Sequence, residues 1–201
     1  MKVLVLEERT GESCDVALDL VGAGHEIVRC HGADEPAFPC RAMNGHECPL
    51  DSGDVAVAVM VNATDGPAAH DAAEDGARCA LRRHIPLVVA GPIDGSPLGA
   101  FASAVVAEHA AVAAAVDEVA SMTSPQHTDV AEGAFAGVLE AHGLDPTLAG
   151  AVVVRRGSDL HVELVPSGPV DRAVLEVAAV RVVGALRRFD PFPRVIDVVG
   201  V

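Results

Sequence analysis

Three short apolar runs constrain this chain more than anything else in it: VLVL at 3–6, DVAVAVMV at 54–61 and PLVVAG at 86–91. None alternates polar with apolar, so each reads as a strand buried on both faces, as in a parallel sheet with helices above and below. HEIVRC supplies a second strand near 25–30. Between the strands lie helical stretches. One spans about 13–22, closed by Gly22 and Gly24, and another opens at Pro67 and runs to about Arg83. A glycine-rich loop, GPIDGSPLG, then leads into a predicted helix over 100–119. Phe101, Val105, Val112, Val116 and Val119 share one face of it, and no fifth strand is evident. Tyr and Trp are absent and Phe occurs five times, so the core must be built from Val, Leu and Ala. Strands alternating with helices predict a small doubly wound α/β domain over residues 1–120.

The pattern changes after SMTSPQH at 121–127, a polar stretch with Pro125 that reads as a linker. A helix near 128–142 ends at Gly143. AVVVRR and DLHVELV then flank Gly157-Ser158, a two-residue hairpin signal. Counting outward from that turn sets Val153 opposite Val162 on the buried face, with Val154 opposite His161 and Val152 opposite Glu163 on the other. A helix over 169–188 and a closing strand, PRVIDVVGV, complete an α-β-β-α-β unit over 128–201. It is predicted as an α+β module with a mainly antiparallel sheet.

Charge narrows the partners. The net charge is −15, and positive charge comes from thirteen Arg and the single lysine, Lys2. Such a surface repels phosphate backbones, so nucleic acid is excluded as a partner, and anionic lipid is disfavoured for the same reason. MKVLVLEER is too short an apolar stretch for a signal-peptide core, and the Ala-rich stretch 99–120 carries Glu108, His109, Asp117 and Glu118. A cytoplasmic protein is expected, in which the five cysteines stay reduced or bind metal. The Val-rich second module predicts a protein partner or a homo-oligomer.

The densest reactive chemistry is in one loop: Cys30, His31, Cys40, His46 and Cys48 within nineteen residues. Three thiolates with His31 or His46 would suit zinc; three thiolates alone would suit an iron–sulfur cluster with an open position. The spacing lacks the C-x2-C knuckle of zinc ribbons, so a redox pair or inert buried thiols stand as alternatives. Cys14 and Cys79 fall on predicted helices and read as packing residues.

A second candidate is the carboxyl edge of the first sheet, where open α/β sheets bind ligands. Glu7, Glu8, Asn62, Asp65 and Asp94 would gather there, beside Gly91 and Gly95, favouring a cation over a phosphate. His70 and Glu74 lie one helical turn apart but lack the His-Glu-x-x-His pattern, and read as a solvated face. No phosphate loop of the G-x-x-x-x-G-K type and no G-x-S-x-G elbow occurs. GAGHEI precedes a strand instead of a helix, and the lone lysine at position 2 excludes Schiff-base chemistry elsewhere.

VLVLEERTG resembles the opening of a response-regulator receiver domain, a flavodoxin-like fold, over about the first 120 residues in element order. The resemblance implies magnesium at Glu7 and Glu8. The chain departs from it where strand three ends near Asn62 without the acceptor aspartate, and where Ala90-Gly91 replace the Thr or Ser ending strand four. The receiver's lysine has no counterpart, which implies a degenerate receiver that does not phosphorylate. Residues 128–201, closing on PRVIDVVGV, are similar to the alkaline-shock envelope-stress family, and that likeness implies a binding or scaffolding role. Together these readings predict a non-enzymatic regulatory or scaffolding protein, gated by metal or redox state at the Cys/His loop. The alternative is a metalloenzyme using Cys30, Cys40, Cys48 and a histidine.

Overall fold

A computed structural model describes residues 1–32, 35–62, 72–92, 96–156 and 159–200 of the chain. The chain forms two compact units, Met1–Ala120 and Ser121–Val201. The first is built on five parallel strands: β1 (Lys2–Leu6), β2 (Glu26–Arg29), β3 (Val55–Val61), β4 (Leu87–Ala90) and β5 (Ala104–Val106). They lie in the order β2-β1-β3-β4-β5. Its helices are α1 (Cys14–Gly22), α2 (Ala72–Arg82) and α3 (Val112–Ser121). This is the expected α/β architecture around a parallel sheet.

The unbroken apolar runs are explained by burial on both faces: every residue of β3 and β4 is buried. Odd positions of β1 and β3 (Val3, Val5, Val57, Val59, Val61) pack with Val16 and Leu20 of α1 and Val112, Val116 and Val119 of α3. Even positions (Leu4, Leu6, Ala58, Met60) pack with Ala73, Ala77 and Ala80 of α2. The alanines let α2 sit close to the sheet. Gly76 carries this further, because a Cβ there would run into the Leu6 side chain. A mid-helix glycine, normally costly, is here the price of that approach.

The predicted helix over 100–119 is corrected. A 3-10 turn (97–101) leads into β5, and a second turn (109–111) leads into α3. Phe101 and Val105, read as sharing one helical face with the three valines, are 64% and 51% exposed, while Val112, Val116 and Val119 are buried. Helical spacing carried across the strand linked two unrelated surfaces. An edge strand of three residues, AVV, is too short to leave its own signature in an Ala/Val-rich stretch.

The crossover from β2 to β3 has no α-helix among its described residues. It runs as a loop to a 3-10 turn at 49–52, where Leu50, with 2% of its surface exposed, plugs the α2-side core. Cys30 and Cys48 pack against the same cluster.

The second unit comprises α4 (Pro125–Ala141), β6 (Ala151–Arg156), β7 (Asp159–Leu164), α5 (Arg172–Phe189) and β8 (Ile196–Gly200). The predicted linker 121–127 is largely helical, since Ser121 ends α3 and Pro125 opens α4. The hairpin register is the expected one: Val152, Val153 and Val154 lie opposite Glu163, Val162 and His161. Val153 and Val162 are buried. The hairpin residues Gly157 and Ser158 lie outside the described residues. The sheet is mixed instead of mainly antiparallel, because β8 runs parallel to β7. In α5, Val174, Ala178, Val182 and Leu186 recur every fourth residue and face the core, whereas Val177 and Val180 point outward.

Candidate functional site

At the carboxyl end of β1, Glu7 turns into the interior and is satisfied there. Its Oε2 accepts the Ser13 N–H at 2.9 Å and the Ser13 hydroxyl at 2.5 Å. Its Oε1 lies 3.0 Å from His31 Nε2 and 3.7 Å from Arg29 Nε. Burial alone would raise its pKa. The Ser13 donors, the Gly11 N–H and the Arg29 guanidinium outweigh that and hold it below the usual range. Glu7 therefore serves as an internal anchor for the turn into α1. Glu8 is half-buried beside it. Asn62 donates from Nδ2 to the Pro92 carbonyl at 2.6 Å. Gly91, at φ +107°, lets the β4 end pass the Asn62 carbonyl, which a Cβ would meet at 2.7 Å. Asp65, Asp94 and His70 lie outside the described residues, as does Gly95.

The two histidines of the cysteine loop lie in different surroundings. His31 is buried, with Nδ1–H donating to the Gly32 carbonyl at 2.8 Å and Nε2 against Glu7. His46 is exposed, in a turn whose Met43, Asn44 and Gly45 amides close on Cys40, Arg41 and Ala42. The Arg41 N–H donates to the Cys30 carbonyl at 2.7 Å, bringing Cys40 beside Cys30. At the other end Arg83, one turn beyond Cys79, donates to the Leu50 carbonyl at 2.6 Å and pairs with Asp51 at 2.5 Å. That clamp fixes the turn following Cys48 to the last turn of α2.

Cys79, read from the sequence as a packing residue, is exposed on α2. Burial, then the fields of Cys48, Cys40 and Cys79, pushes the Cys30 thiol up to about 12. Burial, then Cys48 and Cys40, raises Cys79 as well. All five cysteines are free thiols. Among the described residues, no group of three or more His, Cys, Asp or Glu side chains is arranged to hold a metal ion. The zinc or iron–sulfur set of Cys30, Cys40 and Cys48 with His31 or His46 is not assembled in this arrangement.

The second unit holds a buried polar chain that the sequence did not announce. The Ser124 hydroxyl meets His127 Nδ1 at 2.6 Å, and His127 Nε2–H donates to Asp190 Oδ2 at 2.9 Å. Arg155 also donates to Asp190 Oδ2, and the Phe192 N–H caps Oδ1 at 3.1 Å. The Phe189 ring meets His127 edge-on at 5.2 Å. Burial opposes ionisation of Asp190, but His127 and Arg155 overcome it and lower its pKa. Burial lowers that of Arg155. The order Ser-His-Asp invites a nucleophilic reading. However, His127 and Asp190 are 1% and 0% exposed, and the chain joins the start of α4, strand β6 and the end of α5. It is a three-way brace.

Outward-facing residues of the same sheet line a shallow hollow of about 520 Å³: Val152, Val154, Arg156, His161, Glu163 and Val199. Val152 and Val199 are exposed. Among the described residues no helix is long and apolar enough to cross a membrane. No protein-family model matches the chain, and no curated protein matches it.

Proposed function

We propose that this protein is a non-catalytic regulatory or scaffolding module. It acts by binding a protein partner or a second copy of itself, and the state of the cysteine loop is its gate. The observation that carries the reading is that Cys30 and Cys48 pack on the α2-side core, while Arg83, just past α2, ties the 49–52 turn to that end of the helix, so a change in sulfur chemistry in the loop bears on α2. The valine-lined outer face of the β6-β7-β8 sheet offers the contact surface. The buried acids Glu7 and Asp190 are committed to internal donors, which favours structural over catalytic duty. The likeness to receiver and alkaline-shock domains fits the same reading.

Sedimentation velocity over a concentration series tests it, on reduced, peroxide-treated and zinc-supplemented protein. The expected result is an association constant that differs between states and falls in the double variant Val154→Asp/Val199→Asp. A protein that stays monomeric in every state, with the variant indistinguishable, counts against self-association. Turnover that depends on Cys30, Cys40 or Cys48 would favour a metalloenzyme instead.

A further inference from the structure

We propose that the outer face of the β6-β7-β8 sheet binds a basic amphipathic helix of a partner protein, with Glu163 as the charge that anchors it. This deepens the reading of that face as the contact surface and rests on it. Glu163 stands on the middle strand, directly opposite Val152 of β6 and Val199 of β8. All three are exposed, Val152 and Val199 at 38% and 56%. A carboxylate thus sits between two solvent-facing valines, and no Lys, Arg or His among the described residues pairs with it. Further along the face, Asp197 pairs with His161 at 3.7 Å, and Arg156 stands opposite Asp159. The charge left open is therefore the negative one in the Val152, Glu163 and Val199 row.

The spacing of that row selects the occupant. Val152 and Val199 are two strand spacings apart, about 10 Å. Residues i and i+7 of an α-helix lie about 10.5 Å apart on one face, with residue i+3 or i+4 midway between them. A helix laid across the strands therefore sets an apolar side chain on each valine and a Lys or Arg over Glu163. An extended peptide repeats on one face about every 6.7 Å, and so misses both the middle and the far position. Opposite charge also draws a basic helix toward a chain of net charge −15. A second copy can cover the same valines, but it brings Glu163, Asp159 and Asp197 against a face of their own sign. It holds the face weakly, and a basic helix displaces it.

The test is fluorescence anisotropy on the reduced full chain with two labelled probes. One is a capped, alanine-based helix of fifteen residues, with leucine at its first, eighth and fifteenth positions and lysine at its fifth and twelfth. The other carries glutamate in place of lysine. The lysine probe should bind about tenfold tighter than the glutamate probe. Glu163→Gln should weaken it about tenfold, Glu163→Lys should abolish the preference for lysine, and Val152→Ser/Val199→Ser should weaken it by about the same factor. Glu140→Lys makes the same charge change at an exposed position of α4 and should leave binding within about twofold. Equal affinity for the two probes, or equal losses in Glu163→Lys and Glu140→Lys, overturns the proposal, the second outcome meaning attraction by net charge alone. Sedimentation separates its failure from that of the broader reading. No probe binding, alongside association that Val154→Asp/Val199→Asp abolishes, gives the face to a second copy and refutes the basic helix alone. No probe binding and no association removes both.

Discussion

Cys30 should alkylate far more slowly than an ordinary thiol, and the structure sets by how much. The perturbation is iodoacetamide at pH 8 on the folded, reduced protein. Raising a thiol from 9.0 to about 12 cuts its thiolate fraction at that pH about 900-fold, and only the thiolate reacts. The remaining thiolate is the better nucleophile: at about 0.4–0.5 log units per unit of pKa, roughly 20-fold is recovered. The net expectation is about 40-fold slower than a free cysteine, before any steric shielding by the α2-side core is added. Quenched-flow labelling with peptide mass spectrometry reads each site separately, with exposed Cys14 on α1 as the internal comparison. In guanidinium chloride the two rates should converge, because burial is the leading cause of the shift. Below pH 11 the Cys30 rate should keep rising tenfold per pH unit. Folded-state labelling of Cys30 within threefold of Cys14 would refute the packing assigned to the loop.

Asp190→Ala removes the partner of both His127 and Arg155 and leaves Arg155 as a buried unpaired charge, so unfolding in urea should show a loss of about 3–5 kcal/mol. Acid should weaken both units. Glu7 and Asp190 have folded pKa values below their ordinary 4.5 and 3.8, so their stabilisation is complete above those values. It should be lost as pH falls through the lower folded values, and a flat stability curve by circular dichroism below pH 4 would contradict the two networks. Gly76→Ala places a methyl against Leu6 and should cost about 1–3 kcal/mol in thermal or urea unfolding, despite the gain in helix propensity. Stabilisation by that change would mean α2 lies farther from β1.

Strands β1, β3 and β4 were legible because a two-sided burial requirement writes itself as an unbroken apolar run. The hairpin register was legible because the side-chain period of two leaves one pairing that buries Val153 with Val162. Other elements wrote no such signal. In Ala/Val-rich sequence the 100–119 stretch satisfies helical spacing and a short strand equally well, and only pairing of β5 with β4 decides it. The direction of β8 is likewise a tertiary outcome: PRVIDVVGV says strand but not parallel. At the sites, clustering in sequence announced Cys30, Cys40 and Cys48, whereas the tie of the following turn to the end of α2 is made by Arg83, 32 residues from its partner Asp51. His31 sits beside Cys30 in the chain yet its ring belongs to Glu7. The Ser124, His127, Arg155 and Asp190 brace spans most of the second unit, and no local pattern links its members.

Strand order also bears on how the molecule is made. The five strands of the first sheet are complete by Val106, so that layer can close while the rest of the chain is still being synthesised. The second sheet cannot. β7 is its middle strand and β8 the last of its three strands in chain order, so until Ile196–Gly200 emerges one side of β7 stays open to any extended chain that passes. A nascent second unit is therefore the stage at which a chaperone, or a neighbouring copy on the same message, has most to bind.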